Sequence, residues 1–303
     1  MAAVGTSSIT ESVGVTVEIP QAVLPGESFD VVVSASAVGG RVLAGEVSLV
    51  SRVAYRYRQF GPYGGAATLP ADRSEVVDRQ TLSPVPVDSA ESVMGAVTVR
   101  VPVDALPTVT GELVQIAWRV VVRLDVPGAP DAVASRTVRV VSAAADRAFV
   151  ALEPAHVVDR RTAVLSFDTL SSRRLTPGLA LTGTLTAAPL RPATVRAVRV
   201  ELVLREQVHH GPWAGDDDPA VIPEGQAKET DTPVATATIA TGLHMASESQ
   251  HFPFVLAVPQ VLPGPSLHTP EFTLSWLLRG VLDRVHRQDP FVELELQAAT
   301  APE

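Results

Sequence analysis

The sequence predicts an all-β protein, and three observations lead to that prediction. Apolar and polar residues alternate in many short segments, which is the pattern of strands with one buried face. Turn-forming proline and glycine residues separate these segments, as they do between the strands of a sandwich or barrel. Helical periodicity is nearly absent, because the best helical segment, Ala143–Leu152, is short and serves equally well as a linker. About 14 strands are expected.

The alternation recurs along the whole chain, so strands are expected from one end to the other. The clearest runs are Val13–Ile19, Phe29–Val33, Val53–Tyr57, Leu179–Leu185, Val198–Leu204 and Val292–Leu296. Between them lie turn-rich pieces, which include Leu24–Gly26, Gly39–Gly40, Pro62–Gly65, Pro127–Gly128 and Pro263–Pro265. Each piece combines residues that favour tight turns over continued strands.

The composition excludes several classes of function before any motif is considered. The chain has 303 residues, of which 46% are hydrophobic and 19% charged, so about two domains with real cores are expected. It has no cysteine and a formal net charge of -9, which excludes disulfides and argues against nucleic acid as a partner. Without a long apolar run, no membrane span is expected. Met1–Glu11 lacks a signal-peptide pattern, so a cytoplasmic location is expected.

An internal repeat predicts two similar domains. Each half carries, in the same order, a Val-Pro pair, a Leu-Pro pair, a tryptophan and a Leu-Asp pair. These are Val101-Pro102, Leu106-Pro107, Trp118 and Leu124-Asp125 in the first half, and Val258-Pro259, Leu262-Pro263, Trp276 and Leu282-Asp283 in the second. Earlier in each half, a Pro-Gly pair leads a strand, and a long alternating strand follows at Glu46–Arg58 and Val195–Val208. We therefore predict a duplicated β-sandwich with domains at residues 1–147 and 148–303, and packing roles for both tryptophans.

The end of the second half resembles a known family. Its residues are, in order, Phe252–Pro259, Pro263, Pro265-Ser266, Phe272–Trp276 and Val281–Asp283. This order is similar to the end of an arrestin-like domain. There, a strand closes on a proline and is followed by a Pro-Ser turn, an aromatic-rich strand and an acidic residue before the last strand. The resemblance to the arrestin superfamily implies two tandem immunoglobulin-like β-sandwich domains in an arrestin-like arrangement.

The resemblance also implies a function, because members of this superfamily are adaptors. It implies a non-enzymatic cytoplasmic adaptor or scaffold that binds other proteins through sheet edges, concave faces and loops. By analogy with bacterial sporulation-control proteins, it suggests a role in developmental or envelope regulation. The sequence has no Pro-Pro-x-Tyr motif, and the charged cluster that locks animal arrestins cannot be placed residue by residue here, so receptor binding and phosphate sensing are not carried over. The alternative is a structural β-sandwich subunit of a self-assembling or exported complex. A monomer or small homodimer favours the adaptor, whereas a concentration-dependent polymer favours the structural subunit.

A row of arginines is the first candidate for a protein-binding surface. Arg52, Arg56 and Arg58 share one face of a predicted strand, and Val53 and Tyr55 lie on the other. Guanidinium groups bind carboxylates and phosphates in a bidentate manner, so the row suits an acidic or phosphorylated peptide. The other interpretation is an outer sheet face with cross-strand ion pairs.

Two loops complete the candidate surface. One contains Tyr63, and the other, residues 209–231, contains His209, His210, Trp213 and the run Asp216–Asp218. Histidines and carboxylates can hold a metal ion, but consecutive acidic residues do not easily converge on one ion. A solvated loop or a contact with a protein partner is therefore favoured.

Catalytic and cofactor motifs are missing from the sequence. It contains no G-x-G-x-x-G, no P-loop, no H-E-x-x-H and no G-x-S-x-G pattern. We therefore expect no catalytic residues, no cofactor and no metal, and the chain is not expected to be an enzyme.

Overall fold

A computed structural model describes residues 14–36, 44–60, 65–83, 85–87, 92–127, 130–142, 163–209, 227–285 and 289–300. Within these ranges the regular structure consists of strands without a helix, which confirms the all-β prediction. The described residues therefore contain no helix that is long and apolar enough to cross a membrane. The helical candidate Ala143–Leu152 and the predicted domain boundary at 147/148 lie outside the described residues.

The described residues form nineteen strands. The first ten are β1 (Gly14–Glu18), β2 (Ala22–Val23), β3 (Ser28–Ser36), β4 (Ala44–Phe60), β5 (Ala66–Leu82), β6 (Val85–Val87), β7 (Ser92–Arg100), β8 (Val109–Thr110), β9 (Val114–Asp125) and β10 (Ala132–Val140). The others are β11 (Ala163–Leu170), β12 (Arg174–Leu175), β13 (Ala180–Pro189), β14 (Ala193–Val208), β15 (Lys228–Met245), β16 (Gln250–Ala257), β17 (Leu267–His268), β18 (Phe272–Arg284) and β19 (Phe291–Ala298).

These strands form four sheets, an arrangement consistent with β-sandwiches. Sheet I has the order β1-β3-β7-β6, and sheet II the order β2-β10-β9-β4-β5, with β8 beside β9. Sheet III has the order β11-β13-β16, and sheet IV the order β12-β19-β18-β14-β15, with β17 beside β18. The long alternating strands expected near Glu46–Arg58 and Val195–Val208 are β4 and β14. Each of them is an interior strand of its sheet.

The strand order occurs twice along the chain. Sheet III repeats the order of β1, β3 and β7, and sheet IV repeats the order of all six strands of sheet II. Both repeats include a two-residue strand that pairs in parallel, β2 with β10 and β12 with β19. Only β6 has no counterpart among the described strands. The repeat in the sequence therefore corresponds to a repeat of the topology.

The two tryptophans mark equivalent places in the repeats. Trp118 on β9 donates from Nε1 to the carbonyl oxygen of Leu106 at 2.9 Å. Trp276 on β18 donates to the carbonyl oxygen of Gly264 at 3.1 Å. In both cases the acceptor lies twelve residues earlier. Both indole rings are buried, which confirms that these tryptophans are packing residues.

The Pro-Gly turns are also equivalent. Gly26 and Gly178 have φ angles of 85° and 81°, which residues with a side chain rarely adopt. The N–H of Gly26 donates to the carbonyl oxygen of Pro102, and the N–H of Gly178 donates to that of Pro259. The turn before β3 and the turn before β13 are therefore fixed by the same device, a glycine opposite the strand-closing proline.

The chain forms two compact units that are not continuous in sequence. The first consists of Met1–Val53, Arg73–Thr108 and Ile116–Val141, and the second of Ala54–Asp72, Val109–Gln115 and Ser142–Glu303. The second unit therefore includes the last part of β4 from Ala54, the first part of β5 up to Asp72, and the start of β9 up to Gln115. In that unit sheets III and IV face one another, because a Cβ added at Gly280 on β18 would lie 2.6 Å from Leu185 on β13.

Candidate functional site

The arginine row lies on β4 as the alternation predicts. Arg52, Arg56 and Arg58 are exposed, whereas Val53 and Tyr55 are buried. Arg56 and Arg58 belong to the second compact unit. In the described part of the chain, neither of their guanidinium groups has a carboxylate within 4.0 Å. Arg52 differs from Arg56 and Arg58, because this residue already has an interaction partner. Two exposed cations on one strand are therefore free to meet an anion.

The backbone of this part of β4 is held firmly in the second unit. The N–H of Arg56 donates to the carbonyl oxygen of Leu113 at 3.0 Å. On the opposite face, the rings of Tyr55 and Phe272 are 5.7 Å apart at a tilt of 52°. This anchoring lets the exposed face present Arg56 and Arg58 at a fixed spacing, because residues i and i+2 of a strand point the same way.

His209 follows β14 and shares a hydroxyl group with a second histidine. Its Nε2 lies 2.8 Å from Oγ1 of Thr273, and Nδ1 of His268 lies 2.7 Å from the same oxygen. The backbone N–H of His209 donates to the carbonyl oxygen of Glu271 at 2.8 Å. A hydroxyl between two imidazoles can donate to one and accept from the other. No ion pair or hydrogen bond between described residues joins this group to Arg56 or Arg58.

The other loop predictions cannot be placed. Tyr63, His210 and Trp213 lie outside the described residues, as does the acidic run Asp216–Asp218. Of the predicted surface, the structure thus locates the three arginines and His209. Among the described residues, no group of three or more histidines or acidic residues could hold a metal ion.

Arginines on sheet IV show the opposite electrostatic situation. Arg205 on β14 donates to Asp231 at 2.8 and 2.9 Å and to Glu293 at 3.0 Å. Arg279 on β18 donates to Glu293 at 2.8 Å and also bonds Asp231. These two cations and two anions alternate around a closed ring, and Glu229 joins it 3.1 Å from Nε of Arg205. Arg56 and Arg58 have no such partners among the described residues.

The pKa values of this network follow from its geometry. The hydrogen bond from Arg205 holds the pKa of Asp231 below its ordinary value of 3.8, although burial acts in the other direction. The same bond raises the pKa of Arg205. Burial opposes the charge of Arg279, but its hydrogen bonds to Asp231 and Glu293 outweigh burial and raise its pKa. These charges stabilise one another and are not available to a partner.

Glu206 is a buried acidic residue that the sequence analysis did not single out. Its side chain is 0% exposed, and it accepts three consecutive backbone N–H groups. Oε1 accepts from Glu112 at 2.7 Å, and Oε2 accepts from Leu113 at 2.9 Å and from Val114 at 2.8 Å. Successive N–H groups that point to one place form a nest that suits an anion. Glu206 therefore fixes residues 109–115 within the second unit.

The nest requires a glycine beside it. A Cβ added at Gly111 would lie 2.6 Å from Cδ of Glu206 and 2.8 Å from the carbonyl oxygen of Val114. Atoms this close overlap, so a side chain at position 111 would displace the carboxylate or the turn. Gly111 thus allows the backbone to approach the carboxylate.

The alternation of β14 contains the signal that would have revealed Glu206. Leu202, Leu204, Glu206 and Val208 form one row, and all four are buried. A charged residue in a core-facing row indicates a specific partner, because burying an unpaired charge is costly. The sequence could therefore have marked Glu206, but not the residues that satisfy it.

A smaller polar group lies on the outer face of sheet III. Asp168 accepts from Ser166 at 3.0 Å and also bonds Thr186, whose hydroxyl oxygen lies 2.7 Å from Nδ1 of His251. The bond from Thr186 is the main cause that lowers the pKa of Asp168. Asp168 and His251 are exposed, and Ser166 and Thr186 are half-buried, so this group lies on the strand surface.

Comparison with known proteins does not add a family. No protein-family model matches the sequence, and no curated protein matches it either.

Proposed function

We propose that the protein is a non-enzymatic adaptor or scaffold of the arrestin-like type, which works in the cytoplasm and binds an acidic segment of another protein through Arg56 and Arg58. The observation that carries the proposal is that both guanidinium groups are exposed and have no carboxylate partner in the described part of the chain. In a chain of net charge -9, this is a local reversal of sign. Such a reversal attracts an acidic segment to this part of the surface.

The proposed fold is two immunoglobulin-like sandwiches in an arrestin-like arrangement. The repeated strand order supports a duplication, and the equivalent tryptophans and Pro-Gly turns support two domains of one type. Domains of this kind present rigid strands, and a rigid strand holds charged side chains at a constant spacing.

That spacing suggests the shape of the partner. Two residues along a strand rise roughly 6.5–7 Å, which is also the distance between alternate side chains of an extended peptide. Carboxylates at every second position of an extended segment can therefore meet Arg56 and Arg58 at the same time. Because arginine binds carboxylates in a bidentate manner, the orientation of the segment is also restricted.

The test is a binding measurement with a defined peptide. A fluorescent peptide of alternating glutamate and threonine is titrated with the full-length chain at low salt, and its anisotropy is recorded. We expect saturable binding that weakens as salt is added. Arg56→Glu with Arg58→Glu should weaken binding by at least about tenfold, because attraction becomes repulsion.

Two controls separate this surface from a general charge effect. Arg174→Glu with Arg191→Glu changes the net charge equally at two other exposed arginines of the second unit, and it should leave the affinity within about twofold. A peptide with glutamine in place of glutamate should not bind. Equal weakening by both double variants, or binding of the glutamine peptide, would contradict the proposal.

A further inference from the structure

Arg284 is a buried cation at the end of β18. It continues the row of Leu278, Gly280 and Leu282, which faces sheet III inside the second unit. The residue is only 8% exposed. Its partner across the sheet is Val195 on β14, which is fully buried. The side chain of Arg284 therefore starts from an apolar, core-facing row of β18.

The described residues do not neutralise this charge. The Nη1 atom of Arg284 is buried and has no hydrogen-bond acceptor among them, and none of their carboxylates lies within 4.0 Å of the guanidinium. The nearby Asp289 is used elsewhere, because its Oδ1 accepts from the backbone N–H of Arg284 at 2.8 Å. Its Oδ2 lies 3.9 Å from Nη2 of Arg199. A guanidinium stays charged in proteins, and a buried charge without a partner is costly.

The first repeat shows that the fold does not need an arginine here. Arg284 lies eight residues after Trp276, and the residue eight after Trp118 is Val126. Val126 is 5% exposed and follows β9 as an ordinary apolar residue. A costly residue at a place where valine suffices indicates a role other than packing.

We infer that Arg284 is the anchor of an oxyanion-binding site at this end of the second unit, and that its ligand carries a carboxylate or a phosphate group. A guanidinium offers five donors in a planar fork that matches both groups. Apolar surroundings strengthen the attraction, because less solvent screens it. This site uses none of the residues assigned to the acidic peptide, so either proposal can fail without the other.

The test is thermal unfolding of the full-length chain with sodium phosphate and, separately, with sodium acetate, while sodium chloride keeps the ionic strength constant. At saturation one of the two anions should raise the Tm by roughly 2–5 °C. Which anion acts at the lower concentration distinguishes a phosphate site from a carboxylate site.

Variants connect the effect to Arg284. Arg284→Met should not respond to either anion, and without anion its Tm should equal or exceed that of the wild type, because an unpaired buried charge has been removed. Arg174→Met removes an exposed charge of the same unit and should respond like the wild type. Stabilisation of Arg284→Met by the same anion would overturn the inference.

A direct titration covers the case in which Arg284→Met does not fold. Isothermal titration of the wild type should show saturable heat with phosphate or acetate at millimolar concentrations, and Arg284→Lys should bind more weakly because it loses the planar fork. The absence of saturable heat with both anions would overturn the inference whatever the variants do.

Discussion

The turns that precede β9 and β18 are equivalent in the two repeats, but their N–H groups are satisfied in different ways. Each turn has a backbone bond of 2.9 Å, from Gly111 to Val114 in one and from Thr269 to Phe272 in the other. In the second turn the hydroxyl of Thr269 also accepts the N–H of Phe272 at 3.0 Å. In the first, glycine replaces that threonine, and the acceptor is Glu206, 92 residues from Val114.

The difference shows how a duplicated element can acquire a long-range connection. The turn of Thr269 is complete by itself, because donor and acceptor are three residues apart. The turn of Gly111 depends on β14, so the segment at residues 109–115 is correctly formed only when the second unit is folded around it. A carboxylate that satisfies three N–H groups should also matter more than a hydroxyl that satisfies one.

The largest expected effect is that of Glu206→Ala. It leaves the N–H groups of Glu112, Leu113 and Val114 without their acceptor, and two of these residues are buried. We expect a loss of about 3–5 kcal/mol in the free energy of unfolding of the second unit. Urea unfolding measures the loss, and hydrogen exchange at residues 112–114 should locate it. A loss below about 1 kcal/mol would show that water replaces the carboxylate.

The next effect tests the equivalence of the two turns directly. In the wild type, Gly111→Thr should cost about 2–3 kcal/mol, because the new side chain overlaps Glu206. Combined with Glu206→Ala, the same threonine should cost less than in the wild type, since only its overlap with the carbonyl oxygen of Val114 remains and its hydroxyl can accept the N–H of Val114 as Thr269 does for Phe272. The four proteins of this cycle are compared by urea unfolding. Equal costs of the threonine in both backgrounds would show that the two turns are not interchangeable.

A smaller effect distinguishes a carboxylate held by ion pairs from one held by backbone N–H groups. Asp231→Asn should cost about 1–2 kcal/mol at neutral pH, because Arg205 and Arg279 lose an anion. The pKa of Asp231 in the folded protein is below its ordinary value of 3.8. Its stabilisation is therefore complete above that value and disappears as the pH falls through the lower, folded-state pKa.

The measurement for Asp231 is urea unfolding of wild type and variant at several pH values. The difference between them should be constant at neutral pH and should shrink in acid. A difference that persists at the lowest pH would mean that the aspartate acts through packing and not through its charge.

The smallest effect is expected for Thr269→Ala. It removes the acceptor of one buried N–H group and the hydroxyl bond to the carbonyl oxygen of Phe272, which should cost about 1 kcal/mol. Thermal unfolding of this variant beside Glu206→Ala compares the local and the long-range solution. If Thr269→Ala were the more damaging of the two, the contrast between the turns would be wrong.

The strands could be predicted from the sequence because alternation is a local pattern. It located β4 and β14, and the matched spacing around Trp118 and Trp276 revealed the repeat. The partners of the strands could not be predicted in this way, because pairing depends on contacts between distant residues. For the same reason, the sequence did not show that the ends of β4 and β5 belong to the second compact unit.

The candidate site was predictable to a similar extent. Alternation placed Arg56 and Arg58 on the exposed face of β4, but it could not show whether a carboxylate neutralises them. Arg205 also alternates with apolar residues, and yet it is fully paired with Asp231 and Glu293. Ion pairing is decided by strands that are far apart in sequence, so only the structure separates the two kinds of arginine.

The most direct test of the adaptor proposal is affinity capture of the tagged chain from its native host, read by mass spectrometry. Wild type, Arg56→Glu with Arg58→Glu, and the control Arg174→Glu with Arg191→Glu are compared after circular dichroism has shown that each is folded. We expect a partner with an acidic segment in the wild type and the control, and its loss from the variant at Arg56 and Arg58. The same partners in all three captures, or only the chain itself in the wild type, would contradict the proposal.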